Sequence, residues 1–134
     1  MRVMLDTNIL VSMIFFPSAQ TRRFAKELSD NHRIILCDYV IAELQLVTER
    51  KFPRLLDHLD AFFQRLPYEL IYTPKKITAE NMPGIRDDKD FPILATAIKE
   101  NVDVFVTGDK DFLVLDIEHP EIMTIAQFTE MYCQ

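Results

Sequence analysis

Apolar and polar positions along this chain follow two rhythms. Short β-branched runs such as Val3-Met4-Leu5, Ile34-Ile35-Leu36 and Val104-Phe105-Val106 alternate with longer segments whose apolar residues recur every three or four positions. That alternation predicts an α/β fold with a central, mainly parallel sheet. The first strand is read from Arg2 to Leu5. Asp6-Thr7-Asn8 then supplies cap-type residues for a helix carrying Ile9, Leu10, Met13 and Ile14. Phe15-Phe16-Pro17-Ser18 breaks that helix, and Ser18 caps another with Phe24, Ala25 and Leu28 on one face. A strand from Arg33 to Cys37 follows, with Asp38 as cap of a helix from Tyr39 to Arg50. Pro53 opens an apolar helix reaching Leu66, and Glu69 to Tyr72 reads as a strand. Pro74 to Lys89 is the loosest stretch, with a helical turn at Thr78 to Met82. The remainder reads as a helix from Ile93 to Glu100, strands at Val102 to Thr107 and Ile122 to Ile125, and a helix from Ala126 to Tyr132.

Composition narrows the class. With 134 residues, 49% of them hydrophobic and 27% charged, residues 1–134 fit one globular domain and not a disordered chain. Fifteen Lys and Arg against twenty-one Asp and Glu give a net charge of -6, so no whole-molecule electrostatic grip on nucleic acid is expected. A polyanionic partner would need local cations or metals. The two glycines, Gly84 and Gly108, are too few for a glycine-rich dinucleotide turn or a P-loop. Cys37 and Cys133 offer neither a disulfide framework nor a zinc spacing, which points to a reducing, cytoplasmic setting. Met1 to Phe16 is apolar, but Asp6 and Asn8 interrupt it and no cleavage site follows. No run approaches the length of about eighteen apolar residues that a membrane span needs.

The acids carry the chemistry. Asp6 follows one apolar strand directly and Asp109 follows another across Gly108, positions at which open α/β sheets bind ligands. Alone, each is equally a helix cap or turn residue. Glu43 borders the stripe made by Val40, Leu44 and Val47, where a carboxylate either reaches solvent or is desolvated and needs a partner. Asp90 opens a helix ahead of Leu94, Ala97 and Ile98, and with Pro92 in the first turn it also suits a cap. Asp87 and Asp88 read as loop acids. Four acids from four distant segments converging on one sheet edge call for a counter-cation. Hard oxygen donors favour Mg²⁺ or Mn²⁺, whose chemistry with water and phosphate oxygens is phosphodiester hydrolysis. His32, His58 and His119 lack a metal-ligand spacing, and no serine stands in a nucleophile elbow. Arg22, Arg23, Lys26, Lys75 and Lys76 read as solvated surface, with phosphate contact as the alternative. Phe15 and Phe16 read as core before base-stacking residues.

Four ordered blocks resemble PIN-domain proteins: Val3-Met4-Leu5-Asp6-Thr7-Asn8-Ile9-Leu10, Tyr39-Val40-Ile41-Ala42-Glu43-Leu44, the stretch from Arg86 to Ala97, and Val106-Thr107-Gly108-Asp109-Lys110-Asp111-Phe112. The likeness is greatest to toxin components of toxin-antitoxin systems related to the VapC type. It implies a three-layer α/β/α fold and a metal-dependent ribonuclease site. By position, Asp6, Glu43, Asp90 and Asp109 would be the acidic quartet holding Mg²⁺ or Mn²⁺. Asp111 would be a fifth member or take the place of Asp109, and Asn8 and Thr107 would orient the carboxylates by hydrogen bonds. The resemblance also implies an RNA substrate, a cognate antitoxin and a homodimer, for which the helix from Leu55 to Leu66 offers either an interface or more core. Phe91 departs from the small polar or acidic residue many relatives carry beside the catalytic aspartate. Two other classes compete. A non-catalytic module holding RNA or protein has no need of a negative cluster, and a receiver-type phosphoacceptor needs a central Asp and a Lys partner that the sequence does not supply.

Overall fold

The apolar runs become the middle of a parallel sheet. The computed structural model describes residues 1–74 and 91–133. Its strands are β1 (Arg2–Leu5), β2 (Arg33–Cys37), β3 (Tyr68–Ile71), β4 (Val104–Val106) and β5 (Glu121–Met123). They lie in the order β3-β2-β1-β4-β5, and every pairing is parallel. The residues Met4, Leu5, Ile35, Leu36, Phe105 and Val106 are wholly buried. Strands with no polar alternation must be covered on both faces, and helices flank the sheet in the α/β/α arrangement expected of a PIN-like fold.

Local chemistry sets where the helices start and stop. They are α1 (Thr7–Phe15), α2 (Ala19–Asn31), α3 (Asp38–Lys51), α4 (Leu56–Arg65) preceded by a 3-10 turn at Pro53–Leu55, α5 (Phe91–Lys99), α6 (Lys110–Leu113) and α7 (Ile125–Tyr132). Ser18 caps α2 in a reciprocal box with Thr21, and Thr124 does the same for α7 with Gln127. At the end of α5, Asn101 takes a left-handed φ of 54°. The Val102 amide then reaches back to the Ala97 carbonyl, and the Asn101 amide to that of Ile98, which closes the helix and turns the chain into β4. That turn consumes Val102, so the strand expected from Val102 to Thr107 begins at Val104. The strand expected at Glu69 to Tyr72 is shifted one residue back, because Tyr68 pairs with Ile34 while Tyr72 is 64% exposed. The strand expected to reach Ile125 stops at Met123, since Thr124 is the cap of α7. Leu59 of α4 is core, with Phe62, Phe63 and Leu66 packed against it. The expected helical turn at Thr78 to Met82 lies outside the described residues.

Asp38 differs from its expected place as a cap. Cys37 is the N-cap, and Asp38 sits inside the first turn of α3 with its Oδ1 committed across the sheet. That oxygen accepts the Tyr39 amide at 2.9 Å, the Thr73 amide at 2.8 Å and the Thr73 hydroxyl at 2.6 Å. Burial pushes the Asp38 carboxyl up, but the Thr73 and Tyr39 hydrogen bonds outweigh it and hold it below the usual carboxylate range. A lowered folded value contributes stability above the ordinary value and loses it as pH falls through the folded one. Asp38→Ala is therefore expected to cost about 1–3 kcal/mol at neutral pH, in urea titrations, and less in acid where the wild-type carboxyl is protonated. An unchanged midpoint at pH 7 would refute the tie.

Candidate active site

Strand order reverses at β1. The chain moves outward through β2 and β3, then returns to lay β4 and β5 on the other side of β1. In open α/β sheets the crevice beyond the carboxyl ends of the strands at such a reversal is the ligand site. Here those strands end at Leu5 and Val106, so the residues carried into the crevice are Asp6 and Thr107.

The two are joined side chain to side chain. Asp6 is 5% exposed, its Oδ1 accepts the Thr7 amide at 2.8 Å, and its Oδ2 accepts the Thr107 hydroxyl at 2.8 Å. Capping and site formation are thus one arrangement, with one oxygen holding α1 and the other tied to β4. The Thr107 hydroxyl in turn accepts the Asp109 amide at 3.0 Å, and Asp109 Oδ1 accepts the Asp111 amide at 2.9 Å. Glu43 arrives from α3, which packs against α1 and α5, and it is half-buried beside wholly buried Val40 and Leu44.

Electrostatics register the convergence. Burial pushes the Asp6 carboxyl above its ordinary value, the Thr107 and Thr7 hydrogen bonds oppose this, and the negative charges of Glu43 and Asp109 add to it. Asp111 is exposed, while Asp109 is half-buried and its charge acts on Asp6. Cys37, wholly buried at the end of β2, has its thiol pushed up to about 11, by burial first and with the charges of Asp38 and Asp6 contributing. In the sequence Cys37 reads as the end of a strand and as a sign of redox setting, not as a neighbour of the acids. Its position at a strand end, one residue before an acid, was the available clue to its place near Asp6.

The other expected residues fall differently. Asn8 is exposed, and its side chain makes no hydrogen bond to a carboxylate among the described residues. Asp90, with Asp87, Asp88, Lys75 and Lys76, lies outside the described residues. Phe91 opens α5, and its side chain lies outside them too. Arg23 donates to the Cys133 carbonyl at 2.8 Å and Lys26 pairs with Asp30 at 2.9 Å, while Arg22 is exposed. Phe15 stacks on Phe52 at 5.0 Å, and Phe16, 61% exposed, meets the same ring edge-on.

The donor set suits a hard divalent cation. Among the described residues no Lys, Arg or His forms an ion pair with Asp6, Glu43 or Asp109, which leaves desolvated negative charge uncompensated. The Thr7 hydroxyl, next to Asp6 in the chain, is buried and has no hydrogen-bond partner among the described residues. No group of three or more His, Cys, Asp or Glu side chains among the described residues could hold a metal ion unaided. Mg²⁺ asks for less, since it is commonly held by one or two carboxylates together with water and substrate phosphate.

Fold and site together define a doubly wound α/β protein with an acidic crevice at its topological switch. The sequence matches the PIN domain over residues 3–118, and the chain belongs to that family. Among solved structures it is similar to VapBC2 from Rickettsia felis bound to a DNA fragment from its promoter, with 27% identity and a TM-score of 0.71 over 92% of this chain and 97% of that one. DNA-bound VapBC from Salmonella typhimurium gives 20% identity and a TM-score of 0.71 over 93% and 98%. The Mycobacterium tuberculosis toxin VapC20, which cleaves the sarcin-ricin loop, shares the fold at 15% identity and a TM-score of 0.54 over 88% and 99%. No curated protein matches the sequence. No helix among the described residues is long and apolar enough to cross a membrane.

Proposed function

We propose that this protein is a Mg²⁺- or Mn²⁺-dependent endoribonuclease that hydrolyses RNA phosphodiester bonds, and that it is the toxin of a toxin-antitoxin pair. The observation that carries the reading is the buried Asp6 carboxylate, tied to Thr107 and repelled by Glu43 and Asp109, with no basic side chain among the described residues paired to it. Family membership supports it, and the VapBC assembly of the 27%-identical relative supports an antitoxin partner.

Asp6, Glu43 and Asp109 would hold the cation, with Asp90 completing the quartet and Asp111 at its rim. When bound, the cation supplies charge on the phosphate oxygens and a lowered pKa for the attacking water. The chain's own part is positional. Thr107 fixes the Asp6 rotamer through Oδ2, leaving the further lone pairs of both oxygens available as donors. Buried walls under the carboxylates keep the local dielectric low, which strengthens every charge interaction made there.

The test is cleavage of a mixed RNA pool by the purified protein in EDTA, Mg²⁺, Mn²⁺ and Ca²⁺. Cutting is expected with Mg²⁺ and Mn²⁺ and is expected to vanish in EDTA. Activity that persists through chelation would sink the metal assignment. RNA binding without cutting under any metal would favour the non-catalytic module.

A further inference from the structure

Two helices of this fold end alike and end together. The cap of α1 is Phe16, with φ of -133° and ψ of 55°, and the cap of α3 is Phe52, with φ of -137° and ψ of 53°. Each cap amide returns to the last turn of its helix, to the Ser12 or the Thr48 carbonyl, and a proline follows at once, Pro17 or Pro53. Phe16 and Phe52 meet edge-on at 5.9 Å, and Phe15 lies tilted on Phe52 at 5.0 Å. An edge-on contact covers at most one face of a ring, and Phe16 remains 61% exposed.

A lone exposed apolar side chain needs no ligand to explain it. The charge around this one sets it apart. Arg50, Lys51 and Arg54 flank Phe52, all three are exposed, and none pairs with a carboxylate among the described residues. On the other arm, residues 7–26 contain no Asp or Glu. Glu49 and Asp57 are the acids nearest in sequence to the three cations, so the tip is net basic on a chain whose net charge is -6. Arg50 and Lys51 suit the carbonyl end of α3. Arg54 lies beyond that helix, and α1 ends with no basic residue in its last turn, so a helix-end role leaves part of the charge unexplained.

The tip also stands at a set distance from the carboxylates. Asp6 caps the start of α1 and Phe16 its end, while Glu43 and Phe52 lie a similar length apart on α3. Either span is about 14 Å at about 1.5 Å per residue, or about four nucleotides at a stacked spacing of about 3.4 Å. An exposed ring among unpaired cations is the chemistry that holds single-stranded nucleic acid, the ring stacking a base while the cations take phosphates. An acidic peptide would satisfy the cations. A planar base on a phosphate chain matches the cations, the open ring face and the spacing to the carboxylates together.

We propose that these twin helix ends are a docking surface for single-stranded RNA, with an unpaired base stacked on Phe16 and neighbouring phosphates on Arg50, Lys51 and Arg54. The proposal rests on the nuclease reading and gives that site a second hold on its substrate, remote from the bond to be cut.

The test uses the full chain in EDTA, where the crevice holds no metal and its carboxylates repel phosphate. Affinity for a fluorescein-labelled RNA of mixed sequence, about sixteen nucleotides long, is measured over a range of salt. The wild type is compared with Phe16→Ala, Phe16→Trp and a triple variant carrying Arg50→Gln, Lys51→Gln and Arg54→Gln. Phe16→Ala should weaken binding about tenfold with the salt dependence unchanged, and Phe16→Trp should restore it. The triple variant should weaken binding at least about tenfold and make the log-log salt slope shallower by about two, since each phosphate contact on a single strand contributes about 0.7. Mn²⁺ affinity, titrated separately without EDTA, should be unchanged throughout. Wild-type RNA affinity in either Phe16→Ala or the triple variant would overturn the proposal and leave the surface to an acidic protein. An equal fall in Mn²⁺ affinity would overturn it too, by showing that the changes act through the fold. If the wild type cuts RNA and the variants bind it normally, only this proposal fails; if the wild type neither binds nor cuts RNA, the nuclease reading fails and takes it along.

Discussion

Asp6→Asn should abolish RNA cleavage and yet leave the metal-free protein at least as stable as the wild type. Residues that merely support a metal ligand cost about 10–100-fold when removed, so a direct ligand is expected to cost at least about 100-fold. Stability moves the other way for an electrostatic reason. Burial raises the Asp6 carboxyl above its ordinary value, and Glu43 and Asp109 add to the rise. For an acid so displaced, the folded state holds its proton longer than the unfolded one, so the group lowers stability as pH climbs from the ordinary value through the raised one. Each unit of displacement corresponds to about 1.4 kcal/mol. In EDTA the wild type should therefore gain stability from this group as pH falls from 7 toward the carboxylate range, and Asp6→Asn should lack that gain. Added Mn²⁺ should raise the wild-type thermal midpoint and leave the variant's unmoved. An Asn variant that cleaves normally, or that responds to Mn²⁺ as the wild type does, would remove Asp6 from the centre.

The largest loss of stability is expected from Phe128→Ala. Phe128 is wholly buried on α7, where its ring meets Phe24 of α2 edge-on at 5.3 Å, with His32 at 5.4 Å and Tyr132 at 4.8 Å. Truncating such a ring costs about 3–5 kcal/mol through lost burial and the cavity left behind. Against a total of about 5–15 kcal/mol for a domain, that is a large fraction. Urea unfolding should show one transition with a lower midpoint and an unchanged slope. A separate early transition would mean instead that α7 melts apart from the sheet.

The sequence displayed some of this architecture directly. The bounds of β2 were readable because Ile34, Ile35 and Leu36 form an unbroken apolar run between turn residues, as a doubly covered strand requires. Likewise Glu43 could be set at the edge of its helix stripe, because Val40 and Leu44 fix which face is buried. Other features depend on contacts between distant residues. Nothing near Asp38 announces that Thr73 will take its carboxylate, and nothing near Asn101 announces that the Val102 amide will close a helix instead of extending a strand. The four residues of α6, with only Phe112 buried, are too short to carry a period. Asp6 and Asp109 were visible as strand-end acids, but their link through Thr107 follows from β4 lying beside β1, which no local pattern encodes.

That link also sets a timetable. Asp6 and its hydroxyl donor Thr107 are 101 residues apart in the chain. Ribosomes add about 5–20 residues per second, so roughly 5–20 s separate the appearance of the two. Over that interval β1 has β2 and β3 within reach but not β4, and the crevice that gathers the acids has only one wall. On the proposed function, the nascent polypeptide would carry no assembled carboxylate site until the sheet closes around its oldest strand.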